Sequence, residues 1–212
     1  NALALLVPMP EPWTAVDVGA GTGVSTIALA RACAGSSVVA VEPEKPLREA
    51  LASRLAQDGS VGPRVTIAAS LVDVAITQPV GCLFARNVLH LLSAFDREAL
   101  LREILKLDIR GPIVLSVDER KYKGAEGGER LIDARVIGES RYERWFAWES
   151  VNHGQIDCTN TFRVFVGDRL AREVSFRATR YESALASSLD ILAAHGFVHS
   201  QNLGVDFVSV RR

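Results

Sequence analysis

The sequence predicts an α/β fold: a doubly wound, mostly parallel sheet with an antiparallel β insertion after the fifth strand. Three observations predict it. From Ala15 to about Val117, short apolar runs alternate with amphipathic stretches, the pattern of a parallel sheet wrapped by helices. Beyond Val117 that alternation gives way to aromatic and β-branched residues in period-two array, which is the patterning of antiparallel strands. Between the first strand and the first helix lies a glycine-rich turn, Gly19-Ala20-Gly21-Thr22-Gly23, of the kind that marks the ligand edge of a Rossmann-like sheet.

Taken in order, strands are expected at Ala15 to Val18, Val38 to Glu42, Val65 to Ala69, Val80 to Ala85 and Pro112 to Val117. Each is apolar throughout much of its length, as strands buried on both faces must be. Helices are expected at Val24 to Ala34, Leu47 to Gln57 and Asp96 to Leu107. Gly35 suits the position after the first, where a left-handed residue ends a helix. Asp96 and Glu98 near the start of the third, and Lys106 near its end, complement the helix dipole. Arg144 to Val151, Gln155 to Val166 and Arg169 to Ala178 read as antiparallel strands, the last two joined by the hairpin signal Gly167-Asp168. A helix from Tyr181 to His195 closes at Gly196, and Phe197 to Ser200 and Val205 to Arg211 read as a final strand pair. The whole is read as one domain over residues 1–212, with 121–178 as an inserted antiparallel subdomain.

Composition narrows the function. The 212 residues are 48% hydrophobic and 23% charged, ordinary for a soluble globular chain. A net charge of -1 offers no field for phosphate backbones, so a small-molecule partner is expected and a nucleic acid is not. The apolar runs fall far short of the ~20 residues of a membrane helix, so no membrane partner is expected. Cys33, Cys82 and Cys158 lie far apart with no CxxC pair, which predicts neither a metal site nor a disulfide framework and points to a reducing cytoplasm. The first residue is Asn and no signal-like segment follows, so the sequence is expected to start inside a longer chain.

The chemistry is carried by the turn. Glycines between a strand and a helix let a ligand approach the backbone, and the helix N-terminus presents N–H groups. In the dinucleotide fingerprint the third glycine would fall at Val24, so GxGxxG is not matched and the spacing is GxGxG. That break weighs against an NAD(P)-dependent oxidoreductase on the same architecture.

Val16-Asp17-Val18-Gly19-Ala20-Gly21-Thr22-Gly23 resembles the first motif of class I S-adenosylmethionine-dependent methyltransferases. The resemblance covers about Trp13 to Glu119 and again Tyr181 to Arg212. It implies S-adenosyl-L-methionine as cofactor, with Gly19, Ala20, Gly21 and Gly23 forming its platform. It assigns Glu42, nineteen residues beyond Gly23, to the two ribose hydroxyls, since two carboxylate oxygens suit a vicinal diol. Asp17 is implied to help hold the cofactor's ammonium end, with a structural role as a loop cap equally open. Pro43, beside Glu42, joins the cofactor-binding set, as do Ser70 and Leu71 after the third strand. The sequence departs from the family at Ser70, where an aspartate commonly accepts a hydrogen bond from the adenine amino group. Asp73 could substitute there, or serve as a helix cap.

The fourth strand runs into Arg86-Asn87-Val88-Leu89-His90-Leu91-Leu92, similar to the segment that lines the sulfonium side in small-molecule methyltransferases, so Arg86 and Asn87 are expected near the methyl group. The Asp/Asn-Pro-Pro-aromatic and Pro-Cys signatures of base-methylating relatives are missing here. His90 is the one histidine adjoining this expected pocket and is the candidate catalytic base; packing among Val88, Leu89, Leu91 and Leu92 is the alternative. His153, His195 and His199 cannot be placed against the methyl group. Asp118, Glu119 and Tyr122 could edge the acceptor pocket or serve as surface residues.

The region from Lys121 to Arg177 resembles, in topology and position, the antiparallel sheet of some sugar and small-amine N-methyltransferases. Tyr142, Phe146, Trp148, Phe162 and Phe165 there could cover a ligand, pack inward, or pair with another subunit in a homodimer. Arg141, Arg144, Arg163, Arg169, Arg172 and Arg177 could form a patch for an acidic substrate or RNA, although alternation along strands turns most of them to solvent. The function expected is methyl transfer from S-adenosylmethionine to a nitrogen or oxygen of a small molecule, as in natural-product biosynthesis. The alternative is a non-catalytic cofactor-binding or regulatory protein on the same fold.

Overall fold

The computed structural model describes residues 12–116, 128–152, 155–181, 184–203 and 206–211. Two compact units make up the chain, one from residues 1–117 with 184–212 and the other from residues 118–183.

The first unit is a seven-stranded sheet flanked by helices. In chain order its elements are β1 (Thr14–Val18), α1 (Val24–Ala32), β2 (Ser37–Val41), α2 (Lys45–Gln57), β3 (Val65–Ala68), β4 (Val80–Arg86), α3 (Ala94–Leu105) and β5 (Ile113–Ser116). The second unit supplies β6 (Arg130–Ile137), β7 (Ser140–Asn152), β8 (Gln155–Val166) and β9 (Arg169–Tyr181), after which α4 (Ala184–Ala194), β10 (Phe197–Leu203) and β11 (Asp206–Arg211) complete the first. The large sheet has the order β10, β11, β5, β4, β1, β2, β3. Strands β1 to β5 pair in parallel, and β11 runs antiparallel to both β5 and β10.

Alternation along the central strands builds two cores, one on each face of the sheet. Ala15, Cys82, Phe84 and Val114 point to the face covered by Leu29 of α1 and Leu51 of α2. Val16, Val18, Leu83, Ile113 and Leu115 point to the other, against Leu101 and Ile104 of α3 and Leu192 of α4. Burial on both faces is why these strands read as unbroken apolar runs in the sequence. The chain winds from β1 outward to β3 and then returns to place β4 on the other side of β1. The order therefore reverses between β1 and β4, and a crevice at their carboxyl ends is where such sheets bind ligands.

Helix ends are held by side chains as well as by backbone. Arg64, from the 3-10 turn Gly62–Arg64 before β3, donates Nη1 to the carbonyls of Cys33 (3.0 Å) and Ser36 (2.8 Å) and Nη2 to that of Ala30 (2.7 Å). The Ala30 carbonyl is one of those that the last turn of α1 leaves without an intrahelical partner, and the other two belong to the turn that follows, so the guanidinium sits at the negative end of the helix dipole. Helix α3 begins two residues before the expected Asp96, because Ser93 caps it: its hydroxyl accepts from the Asp96 amide at 3.1 Å and donates to the Asp96 carboxylate at 2.6 Å. At α4 the expected start moves from Tyr181 to Ala184, since Tyr181 still belongs to β9 and pairs with Gln155.

The second unit is a four-stranded antiparallel sheet in the order β6, β7, β8, β9. Three of its strands were expected, though β7 and β9 run longer than the sequence suggested; β6 was not. All eight residues of β6 are exposed, so its sequence carries no burial alternation to mark it. Both two-residue hairpins have a glycine first, Gly138 at φ 60° and Gly167 at φ 59°, which is the requirement of a II′ turn.

Register sorts the arginines onto opposite faces, so the single basic patch does not form. Arg144 shares a face with Tyr142, Phe146, Phe162 and Phe176, and Arg172 lies opposite Val164 on it. Arg141, Arg163 and Arg177 lie on the other face, where Arg163 is bonded to Glu129 (2.7 Å) and Glu173 (2.6 Å) and sits 5.0 Å over the Trp145 ring. Arg141 pairs with Glu143 there at 3.1 Å. No helix among the described residues is long and apolar enough to cross a membrane.

Arg64→Ala should lower unfolding stability by about 2–3 kcal/mol, since three charge-assisted bonds to one helix end are lost and their carbonyls are left buried. Urea denaturation checks this; a change below about 0.5 kcal/mol would show that the helix end is held by other means.

Candidate active site

Strand β1 ends at Val18, and the turn that follows is built from three left-handed glycines: Gly19 at φ 71°, Gly21 at φ 56° and Gly23 at φ 88°. Each is there for a different reason. A Cβ on Gly19 would stand 2.1 Å from Val88 Cγ2, and one on Gly23 would stand 2.2 Å from Leu51 Cδ1, so both glycines are places where the turn meets neighbouring side chains. A Cβ on Gly21 would meet nothing within 4 Å. The open space above the turn is therefore at Gly21.

The amides of Gly19, Ala20, Gly21 and Gly23 are engaged within the protein. Gly19 and Ala20 donate to the Val41 carbonyl at 2.8 and 3.0 Å, and Gly23 donates to Ala20 at 2.9 Å. Gly21 donates to Glu42 Oε2 at 2.8 Å, while Glu44 donates its amide to Glu42 Oε1 at 3.0 Å. The turn thus uses its N–H groups to fasten itself to the end of β2. Phosphate cradles keep such groups open, and this turn does not resemble one.

Glu42 lies one residue past β2 and is buried. Each of its oxygens accepts one backbone N–H and keeps acceptor capacity for one more donor. Its own backbone is held as well: the Glu42 amide donates to Ala68 of β3 at 3.0 Å, and Arg48 Nη1 donates to the carbonyls of Glu42 (2.8 Å) and Pro43 (2.6 Å). The carboxylate is in this way pre-oriented at the carboxyl edge of the sheet.

Asp17 is 1% exposed and ties β1 to the start of α1. Its Oδ2 accepts from Thr26 Oγ1 at 2.6 Å and Ser25 Oγ at 2.8 Å. Burial pushes its carboxyl above the ordinary value; the bonds from Thr26 and Ser25 and the positive charge of Arg86 oppose that rise, while Glu42 adds to it. The capping role left open for Asp17 is what the contacts describe. Ser25 and Thr26 were not singled out in the sequence, although two hydroxyl residues in the first turn after a buried acid are a readable signal.

Beside the turn lies a cavity of about 390 Å³, within the range of small-molecule pockets. Of the expected cofactor residues, Gly19, Pro43, Ser70 and Leu71 line it. Its remaining wall is largely aliphatic, with Val18 and Val41 from the strands and Val88, Leu92 and Leu100 from the β4 to α3 side. Val88 and Leu92 belong to the segment expected on the sulfonium side but were not singled out within it, and Leu100 was missed, because nothing in a run of valines and leucines distinguishes a cavity wall from a core. Ser70 Oγ donates to Asp73 Oδ2 at 2.8 Å.

Arg86 ends β4 and is exposed. Asn87 follows in a left-handed conformation, φ 56°, the one non-glycine residue of that kind among those described. Its amide donates to the carbonyl and hydroxyl of Ser116 at 3.0 and 3.2 Å. An asparagine tolerates this region better than most residues, and such backbone concentrates at functional sites. His90 sits on the 3-10 turn Leu89–Leu91 and is buried; it does not line the cavity. Asp118, Glu119, Tyr122 and His153 lie outside the described residues. No cluster able to hold a metal occurs among the described residues, and the three cysteines are buried.

A parallel sheet reversed between β1 and β4, closed by an antiparallel β11, with a glycine turn and an acid across from it at the end of β2, defines the class I methyltransferase fold. Residues 15–107 match the family model described as a methyltransferase domain. Over those residues the chain is similar to a methyltransferase domain, and its sheet order is that of the class I fold. Among solved structures, DesVI of Streptomyces venezuelae superposes with a TM-score of 0.72 at 16% identity, over 96% of this chain and 85% of that one. CalS10 of Micromonospora echinaspora, an amino pentose methyltransferase involved in calicheamicin biosynthesis, does so with a TM-score of 0.69 at 17% identity, over 96% and 85%. The glycopeptide N-methyltransferase MtfA, in complex with S-adenosyl-L-homocysteine, gives a TM-score of 0.60 at 18% identity, over 95% and 82%. No curated protein sequence matches this chain significantly.

Asp17→Asn should leave the fold intact, because the amide oxygen can still accept from Ser25 and Thr26. The raised carboxyl of the wild type contributes stability that is complete below its ordinary value and is lost as pH rises through the folded value. The variant should therefore melt at least as high as the wild type at pH 7, and the difference should shrink toward pH 4. A melting temperature lowered at pH 7 and unaffected by acid would contradict this.

Proposed function

We propose that this chain transfers a methyl group from S-adenosylmethionine to a nitrogen or oxygen of a small molecule, with an amine as the favoured acceptor. The observation that carries the cofactor's placement is the Glu42 carboxylate, fixed by the Gly21 and Glu44 amides, with its chain neighbours Val41 and Pro43 both lining the aliphatic cavity. Bound there, the sulfonium supplies a methyl group whose leaving group is a neutral thioether, so alignment and exclusion of water are the protein's main tasks.

Each residue then has a part. Glu42 takes the two ribose hydroxyls with the acceptor capacity left on its oxygens. Pro43, Leu71 and the surrounding valines and leucines give the adenine a dry slot, and Ser70 gives it a polar edge. Gly19, Ala20, Gly21 and Gly23 leave room for the cofactor to pass the turn, with Asp17 holding the turn to α1 and its charge toward the ammonium end. Arg86 and Asn87, at the end of β4, face the methyl side.

Three points support an amine acceptor from natural-product chemistry. CalS10 acts on an amino pentose and MtfA is an N-methyltransferase, both on this fold. His90, the base an O–H acceptor would want, is buried away from the cavity wall. A neutral amine carries its own lone pair and needs no base to attack. We further propose a second copy of the chain as partner, because Tyr142 (44% exposed), Phe162 (42%) and Phe176 (59%) leave aromatic surface on one face of the second sheet. Light scattering behind size exclusion checks this, and a monomer mass at micromolar concentration counts against it.

Calorimetric titration tests the site. S-adenosylmethionine should bind the wild type; Gly21→Val should abolish binding by filling the open space; Glu42→Ala should weaken it by about 1–3 kcal/mol through the unsatisfied diol. Equal affinity in all three proteins, or heat with NADH and none with S-adenosylmethionine, would sink the placement. Binding without turnover on any amine or hydroxyl acceptor would overturn the catalytic reading in favour of a cofactor-binding protein.

A further inference from the structure

Resting on the reading that this cavity holds the cofactor's adenine, we infer that Asp73 makes Ser70 a one-way hydrogen-bond acceptor and thereby selects adenine over its deaminated counterpart. The argument is one of proton count. Ser70 Oγ lies 2.8 Å from Asp73 Oδ2. An ionised carboxylate can only accept, so the hydroxyl's single proton is committed to Asp73 and its remaining lone pairs can only accept. Ser70 lines the cavity and Asp73 does not. What the ligand meets is therefore an acceptor whose direction is set from behind.

The local backbone explains the pairing. Ser70 is extended, at φ −145° and ψ 167°, and leads into the 3-10 turn Leu71–Asp73, with the Asp73 amide donating to the Ser70 carbonyl at 3.3 Å. Residues three apart eclipse in such a turn, which brings the carboxylate over the hydroxyl. Adenine offers a 6-amino donor to this edge. Hypoxanthine offers an oxygen at the same position, lone pair against lone pair. A serine free to rotate would donate to that oxygen and accept both bases; a serine locked by Asp73 accepts only the first. Asp73 acts through Ser70 and is a positioning residue.

The test compares S-adenosylhomocysteine with S-inosylhomocysteine, titrated calorimetrically into the wild type, Asp73→Asn and Ser70→Ala. The wild type should prefer the adenosyl ligand by about tenfold or more, the scale of one mismatched hydrogen bond. In Asp73→Asn the amide can donate to Ser70 as readily as accept from it, so the preference should fall to about threefold or less, chiefly through gained affinity for the inosyl ligand. Ser70→Ala should lose the preference as well. If Asp73 merely ties the turn, its variant weakens both ligands alike and the ratio stays put; an unchanged ratio with S-adenosylhomocysteine still bound overturns this inference and leaves the cofactor site standing. No preference in the wild type also overturns it. Failure of the wild type to bind S-adenosylhomocysteine overturns the cofactor reading and this inference together.

Discussion

The bond between the Gly21 amide and the Glu42 carboxylate is the constraint on which the rest of the site depends. It joins the turn after β1 to the residue after β2, two segments that the sheet brings side by side but does not itself connect. With the two bonds from Gly19 and Ala20 to Val41, it makes the glycine turn part of the sheet's edge. A buried carboxylate without donors would be expensive. Here two backbone N–H groups stabilise the charge and at the same time aim it.

That stitching changes what the glycines are for. In a phosphate site, a glycine-rich turn ahead of a helix exposes amides to the ligand. In this chain those amides are used internally, and the contribution of the turn is space: Gly19 and Gly23 let it pack against Val88 and Leu51, and Gly21 leaves a gap that no protein atom fills. What the turn offers a ligand is therefore shape rather than a ring of donors. The platform is in turn held from behind. Asp17 gathers the hydroxyls of Ser25 and Thr26 at the start of α1, and Arg64 gathers the carbonyls at its end.

Much of this was legible beforehand. The five parallel strands were placed to within a residue or two, because burial on both faces leaves a continuous apolar run that few other elements produce. The glycine turn stood out by its own spacing, and Glu42 was singled out by what the family resemblance implies. Strand β6 was missed, since a fully exposed edge strand has no buried face to impose alternation. Ser93 was missed as the cap of α3, although Ser followed three residues later by Asp is a readable start signal. For the arginines of the insertion, alternation alone argued against a single patch, and register divided them between a face rich in aromatic rings and a face of ion pairs.

By itself the sequence determined the class of fold, which depends on periodicity and on a few residue types at short spacing, and through the resemblance of its glycine turn to a family motif it implied the kind of ligand. Only the tertiary structure decided which groups meet: that the turn's amides are spent on Val41 and Glu42, that Ser70 gives its proton to Asp73, that Val88, Leu92 and Leu100 wall the cavity, and that His90 does not. The physical reason is that a hydrogen bond or a cavity wall depends on distances between segments far apart in the chain. Local pattern constrains each segment's shape but not the half-ångström on which such contacts turn.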